Sequence, residues 1–205
     1  MRRGRSAWGR RLIAGTAIGF LVAVVAFWSY GLGALLRAPT FSELTLPRQA
    51  EPPLGEAFNL ADWRFGPTIR VSSYYRDPLA NHHPIFLVDG RRTPTLTEKW
   101  ASARGDQRPW VEIRWREPRT LEWVVVHHGG AHETAGFTAR DYRLVCLRPA
   151  ELKSEASPDI VVQNNENHVA EHPFSCANAS GLRVEFAPLP AGTLARVYEI
   201  EAWGR

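Results

Sequence analysis

Histidine is the side chain through which this sequence could most readily do chemistry. All seven histidines lie between positions 82 and 172: His82, His83, His127, His128, His132, His168 and His172. His127 and His128 close the run LEWVVVHH, and neighbours on a strand face opposite sides, so the two do not simply share one ligand. His128 and His132 could converge around Gly129-Gly130, with His82 or His83 joining from another loop, and three such imidazoles could bind zinc. No His-Glu-x-x-His helix, Cys-x-x-Cys pair or other fixed metal spacing accompanies them. Nucleophilic chemistry has less support still. The sequence holds no Gly-x-Ser-x-Gly elbow and no phosphate loop, and no nucleophile comes with a base and an orienting group, so no catalytic residue is assigned. Glu199 and Glu201 share one face of a strand, as many exposed carboxylates do.

Cys146 and Cys176 are the only cysteines. An even number in an exported domain favours a bridge between them, whereas two small buried residues would pack as free thiols.

The elements that must position these groups are strands. In PWVEIRW, Val111, Ile113 and Trp115 alternate with Glu112 and Arg114, as in a strand with one wet face. Leu121–His128 is apolar on both faces and suits a central strand. Tyr142, Leu144 and Cys146 alternate around Arg143; Leu182, Val184 and Phe186 around Arg183 and Glu185; Tyr198, Ile200 and Ala202 around Glu199 and Glu201. Further short strands are expected at Thr68–Ser73, Pro84–Val88 and Asp159–Gln163. Such strands, separated by Gly, Pro and Asn turns, predict an all-β sandwich or jelly roll over residues 56–205, a length suited to one core.

One stretch departs from this pattern. Residues 12–36, LIAGTAIGFLVAVVAFWSYGLGALL, are 25 uncharged residues, and about 20 apolar residues suffice to span a bilayer as a helix. Arg2, Arg3, Arg5, Arg10 and Arg11 precede the run with no acidic residue among them. The expectation is a single transmembrane helix at 12–36 in contact with lipid. A short basic tail at 1–11 stays in the cytoplasm, and the C-terminal domain is periplasmic or extracellular. A cleaved signal peptide, the competing reading, has a shorter apolar core, about 7–15 residues, and a small-x-small cleavage site, for which Leu-Gly-Ala-Leu-Leu at the end of this run offers only a poor match. Residues 37–55, with Pro39, Pro47, Pro52 and Pro53, read as an extended linker. The net charge of +4 owes its sign to the five leading arginines; without them twenty basic residues face twenty-one acidic ones. The basic balance is therefore a topology signal and no argument for a nucleic-acid partner. Only Lys99 and Lys153 are lysines among the basic residues, a bias that goes with GC-rich coding and a bacterial inner membrane.

The order of these pieces resembles the discoidin family, the coagulation factor 5/8 type C domains, within the galactose-binding-like jelly rolls. The resemblance runs from VSSYY through FLVDG, KWAS, PWVEIRW, RTLEWVVV, RDYRLVCL and GLRVEF to ARVYEIEAWG. It implies a discoidin-like jelly-roll sandwich. Many members hold a structural calcium ion at the Asp-Gly turn, which implies Asp89, Thr95 or Thr97, and Glu199 as oxygen ligands. Here Glu98 stands where the family places its threonine, two residues before Trp100, and the insertion RRTPTLTEK lengthens the loop. Members that bind carbohydrate use loops at one end of the sandwich, joining an aromatic platform to Arg, His and Asn. The corresponding loops offer Tyr75, Arg76, His82 and His83; Arg91 and Arg92; His128 and His132; and Asn165. The resulting expectation is a membrane-tethered, non-catalytic module for a cell-envelope or extracellular glycan. A protein-interaction or accessory subunit of a membrane or exported complex is the alternative. No cofactor is implied beyond the calcium ion.

Overall fold

The computed structural model describes residues 43–45 (backbone), 56–80, 82–91, 98–149 and 159–205. These form nine antiparallel strands: β1 (Glu43–Thr45), β2 (Phe58–Asn59), β3 (Thr68–Val71), β4 (Trp100–Ala101), β5 (Trp110–His128), β6 (Tyr142–Leu147), β7 (Asp159–Val162), β8 (Val169–Phe186) and β9 (Arg196–Gly204). One path runs β1-β3-β5-β8-β6-β7, while β9 pairs with β2, β4 and the later part of β5.

The two long strands explain how one hydrogen-bonded network makes a sandwich. The first part of β5, Trp110–Arg114, lies between β3 and the end of β8. Its last part, Leu121–His128, lies between β9 and the start of β8. Register shifts between Arg114 and Trp123 mark the bend, as bulges do where a strand changes layer. At the crossing a Cβ on Gly181 would stand 2.5 Å from the Ile113 carbonyl oxygen, so only glycine fits there. The sequence pattern had suggested two strands over this span; a single bent one carries both.

The core lies where the alternating positions point. Val111, Ile113, Leu121, Val124, Val126, Leu144, Leu182, Val184 and Ile200 are buried in one cluster with Trp100 and Phe174. Val125 and His127, on the other face of β5, are buried as well, as expected of a central strand. The Cys146–Cys176 disulfide is formed, with Cα atoms 6.5 Å apart. Cys146 pairs in register with Leu182, and Cys176 with Leu121, so the bridge ties the part of β8 on one side of the bend to the strand on the other.

Two expectations change. Pro84–Leu87 is a short 3-10 helix in place of a strand: Pro84 takes the first helical position, and His83 Nδ1 accepts the Ile85 N–H at 3.2 Å. Glu43–Thr45, inside the stretch read as linker, instead pairs with β3 at the sheet edge, Leu44 opposite Ile69. Among the described residues no helix is long and apolar enough to cross a membrane; the candidate span at 12–36 lies outside them.

Candidate functional site

The loop between β3 and the Pro84–Leu87 helix is fixed at its root. Ser72 and Ser73 hydroxyls donate to Asp106 at 2.6 and 2.5 Å. Trp100 Nε1 donates to the Ser73 carbonyl at 3.0 Å, and the Tyr75 N–H to the Ala101 carbonyl at 2.7 Å. At the tip, Asp77 Oδ1 accepts the Leu79 N–H at 2.8 Å, the local side-chain bond that makes Asp a turn residue. Leu79 is left 91% exposed. Between root and tip opens a cavity of about 760 Å³, bounded by Tyr74, Tyr75, Arg76, Asp77, the Pro78–Ala80 turn, His82, His83, Phe86 and Glu98.

The polar groups of this cavity are held by packing. The Tyr74 ring meets His83 edge-on at 5.8 Å, with the Arg76 guanidinium 5.0 Å from its centre. The Tyr75 ring lies 5.6 Å from His82 and 5.2 Å from the Arg104 guanidinium. Burial lowers the pKa of both histidines from the ordinary value. For His82 the charges of Lys99 and Arg196 add to that effect, while a hydrogen bond to the Lys99 main chain and the charge of Asp77 oppose it. Both rings are therefore neutral near pH 7. His82 is only 9% exposed, and among the described residues its buried Nδ1 has no hydrogen-bond partner.

Behind His82 lies a charged cluster that the sequence reading missed. Lys99, 2% exposed, places Nζ 3.1 Å from Glu133 Oε1. Arg196 also binds Glu133, and the Tyr198 hydroxyl donates to the same carboxylate at 3.4 Å. The Arg196 guanidinium covers the Phe137 ring at 3.7 Å, and Lys99 Nζ lies 5.4 Å from the centre of Tyr198. Burial lowers the Lys99 pKa, and Glu133 works against it. Tyr198 is pushed up to about 12 by burial and by Glu133. One signal was available in the sequence: Lys99 is one of only two lysines in an arginine-rich chain.

The remaining candidates are distributed differently from the expectation. His128 and His132 do not converge on a ligand. His128 is 0% exposed in the core, its ring 5.2 Å from Tyr142. Burial, with His172, His127 and His168 nearby, lowers its pKa to about 3, and neither ring nitrogen finds a partner among the described residues. His132 packs instead against Tyr198 at 4.8 Å. Asn165 is a turn residue: its Nδ2 donates to Ala139 and Asn167 carbonyls, and its Oδ1 accepts the Asn167 N–H. It is buried. Arg91 is exposed and bridges Asp89 at 4.0 Å to Glu98, which bounds the cavity, at 3.5 Å.

Asp89-Gly90 forms the anticipated turn, with Gly90 at φ 75°. Its Gly90 N–H donates to Oε1 of the fully buried Glu199 at 3.3 Å, while Asp89 Oδ1 accepts the Arg91 N–H at 2.9 Å. Burial raises the Asp89 pKa. Arg92, Thr95 and Thr97 lie outside the described residues. Among the described residues no three His, Cys, Asp or Glu side chains are grouped to hold a metal, the histidines included.

No protein-family model matches the sequence, and no curated protein matches it. Solved structures do match the fold. A family 32 carbohydrate-binding module of Streptococcus pneumoniae EndoD superposes with TM-score 0.56 at 20% identity, covering 72% of this chain and 100% of its own. A fucose-binding module of Streptococcus pneumoniae gives 0.56 at 17%, covering 76% and 100%. Allantoicase of Saccharomyces cerevisiae gives 0.55 at 15%, covering 77% of this chain but 45% of its own. The fold is thus an antiparallel jelly-roll sandwich that carbohydrate-binding modules and at least one enzyme share.

Proposed function

We propose that this chain is a non-catalytic carbohydrate-binding module tethered to a bacterial inner membrane through residues 12–36, with its sandwich in the periplasm or outside the cell. The observation that carries the reading is the loop-end cavity, where two tyrosines, two neutral histidines and Arg76 meet. Saccharides are read by this combination, apolar sugar faces against aromatic faces and hydroxyls against convergent polar groups. Tyr75, Arg76, His82 and His83 are the contacts we assign, with Arg91 beside Glu98. Modules that share the fold bind sugars, fucose among them.

A structural calcium ion at the Asp89-Gly90 turn belongs to the same proposal. Half-buried Asp89 and fully buried Glu199 meet through Gly90, and carboxylate oxygens suit a hard cation that would offset their burial. Thr95 or Thr97 would complete the set.

The test is a glycan array probed with the full-length chain in non-ionic detergent. Selective binding of a saccharide is expected, weakened at least tenfold by Tyr75→Ala or His82→Ala. A blank array, with one exported protein co-purifying stoichiometrically from membranes, would transfer the cavity to the accessory-subunit reading.

A further inference from the structure

The two ends of the sandwich receive different parts of the chain. β1 runs antiparallel to β3, with Glu43 opposite Arg70 and Thr45 opposite Thr68. A chain entering β1 at Glu43 therefore arrives from the end toward which β3 continues, through Val71 into Ser72 and Ser73 at the root of the cavity loop. β9 starts at this end too, with Arg196 opposite Ala101 and Val197 opposite Trp100. It finishes at the bend of β5, where Gly204 lies opposite Leu121 and Phe58 and the Thr120 N–H donates to the Arg205 carbonyl.

Lengths decide which end a membrane anchor at residues 12–36 draws toward the bilayer. Six residues, 37–42, separate that run from Glu43. Seven Cα steps of at most about 3.6 Å bound their reach at about 25 Å. From Arg196 to Gly204, β9 alone rises about 26 Å, at about 3.3 Å per residue. A sandwich standing on its bend end would need the tether drawn to its limit along the whole height of β9, where a chain has the least conformational freedom. With the cavity end toward the bilayer, six residues keep slack.

The wall of the cavity suits that place. The Pro78–Ala80 turn is apolar, and Leu79 at its tip is 91% exposed, the most exposed large apolar side chain among the described residues. Beside it the lining is polar, with Arg76, His82 and His83 next to Tyr75. A sugar that continues into a lipid matches both parts. Its hydroxyls meet the polar wall, and the first apolar carbons of its anchor lie along Leu79. A free saccharide would leave Leu79 in water.

We propose that the saccharide taken by the cavity is the headgroup of a glycolipid in the same membrane that anchors the chain. The inference rests on the carbohydrate reading of the cavity and on the anchor at 12–36. Chain and ligand then share one surface, which raises the effective concentration of this glycan over any other.

The experiment uses the full-length chain reconstituted in phosphatidylcholine vesicles. A fluorophore on Leu79→Cys marks the cavity end, and one on Glu117→Cys, exposed in the bend of β5, marks the other; the bridged Cys146 and Cys176 do not react. Energy transfer to a rhodamine-labelled lipid should be stronger from position 79 than from position 117, and this arm needs no sugar. For the ligand, L-fucose, D-galactose, N,N′-diacetylchitobiose and any saccharide that binds on the array are each coupled to phosphatidylethanolamine through a photoreactive linker. Capture of a coupled sugar from the chain's own vesicle should exceed capture from separate vesicles at least about tenfold, and a flexible Gly-Ser spacer of about twenty residues after Arg37 should narrow that ratio to about twofold. Binding by no saccharide, free or coupled, overturns the carbohydrate reading, and this inference with it. Equal transfer from the two positions, or stronger transfer from position 117, overturns the inference alone. So does a sugar captured from separate vesicles as well as from the chain's own, or a chain that alkaline extraction strips from the vesicles.

Discussion

Replacing His128 by phenylalanine removes a core group that carries two polar atoms and satisfies neither among the described residues. The imidazole is fully buried at the end of β5, and its pKa is lowered from 6.5 to about 3. The unfolded chain therefore takes up a proton at this position below about pH 6.5, while the folded chain refuses it until about pH 3. Stability from His128 is thus present above the unfolded value and is lost as pH falls toward the folded one, at about 1.4 kcal/mol per pH unit. The whole interval amounts to about 5 kcal/mol, an upper bound set by burial. That is a large share of the roughly 5–15 kcal/mol by which a domain is stable. Near neutral pH the substitution acts with the opposite sign, since deleting unsatisfied buried nitrogens gains about 1–3 kcal/mol before any strain. Urea titrations of the full-length chain, followed by tryptophan fluorescence at half-unit steps from pH 7.5 to 4.5, measure both effects. The wild type minus variant difference cancels the other titrating groups, His172 included. His128→Leu separates packing from charge, because it shares the lost titration but not the ring shape. Parallel stability curves for wild type and both variants would refute the reasoning.

Four further outcomes follow from particular contacts. Cys146→Ser with Cys176→Ser removes a bridge closing a loop of 30 residues and should lower urea stability by about 3–4 kcal/mol; a thiol assay on unfolded, unreduced protein should find none free. Glu133→Gln strands Lys99 and Arg196 without their shared carboxylate and should cost about 3–5 kcal/mol in the same titration, as breaking a buried pair does. Millimolar calcium should raise Tm relative to chelator in the wild type and leave Asp89→Asn unmoved; an equal Tm in both conditions removes the ion from the Asp89-Gly90 turn. Deleting residues 1–37 should release the chain from membranes that retain the full-length protein through alkaline extraction.

The strands were legible because their signal is local and repeated. In Val111–Trp115, Tyr142–Cys146, Leu182–Phe186 and Tyr198–Ala202 every second residue is apolar, and a pleated strand needs nothing more to sort one face from the other. The bend in β5 was not legible: RWREPRT reads as a break between two strands, and only pairing to both β3 and β9 shows the chain passing through. Pro84–Leu87 failed for a related reason. Four apolar residues suit a strand or a buried turn equally, and the decisive contact is His83 Nδ1 with the Ile85 N–H. The Lys99–Glu133–Arg196 cluster joins residues from three separate segments, so no window of sequence contains it.

The two His-His pairs show where reading a site from residue types stops. His82-His83 and His127-His128 are the same dipeptide, each preceding a turn. A strand sends alternate side chains to opposite faces, so one of the second pair had to enter the core, and it is His128. His127 takes the other face, with Nε2 2.7 Å from Glu201. A loop imposes no such alternation, and His82 and His83 both bound the cavity. The pairs should therefore separate by function. His82→Phe should abolish saccharide binding and leave the pH dependence of stability set by His128 intact. His128→Phe should flatten that dependence below pH 6.5 and leave affinity at pH 7.5 within about twofold, as expected for a site that shares no partner with it. Urea titration and saccharide titration of both variants decide the matter. Loss of binding in His128→Phe without loss of stability would put the core histidine back into the ligand site.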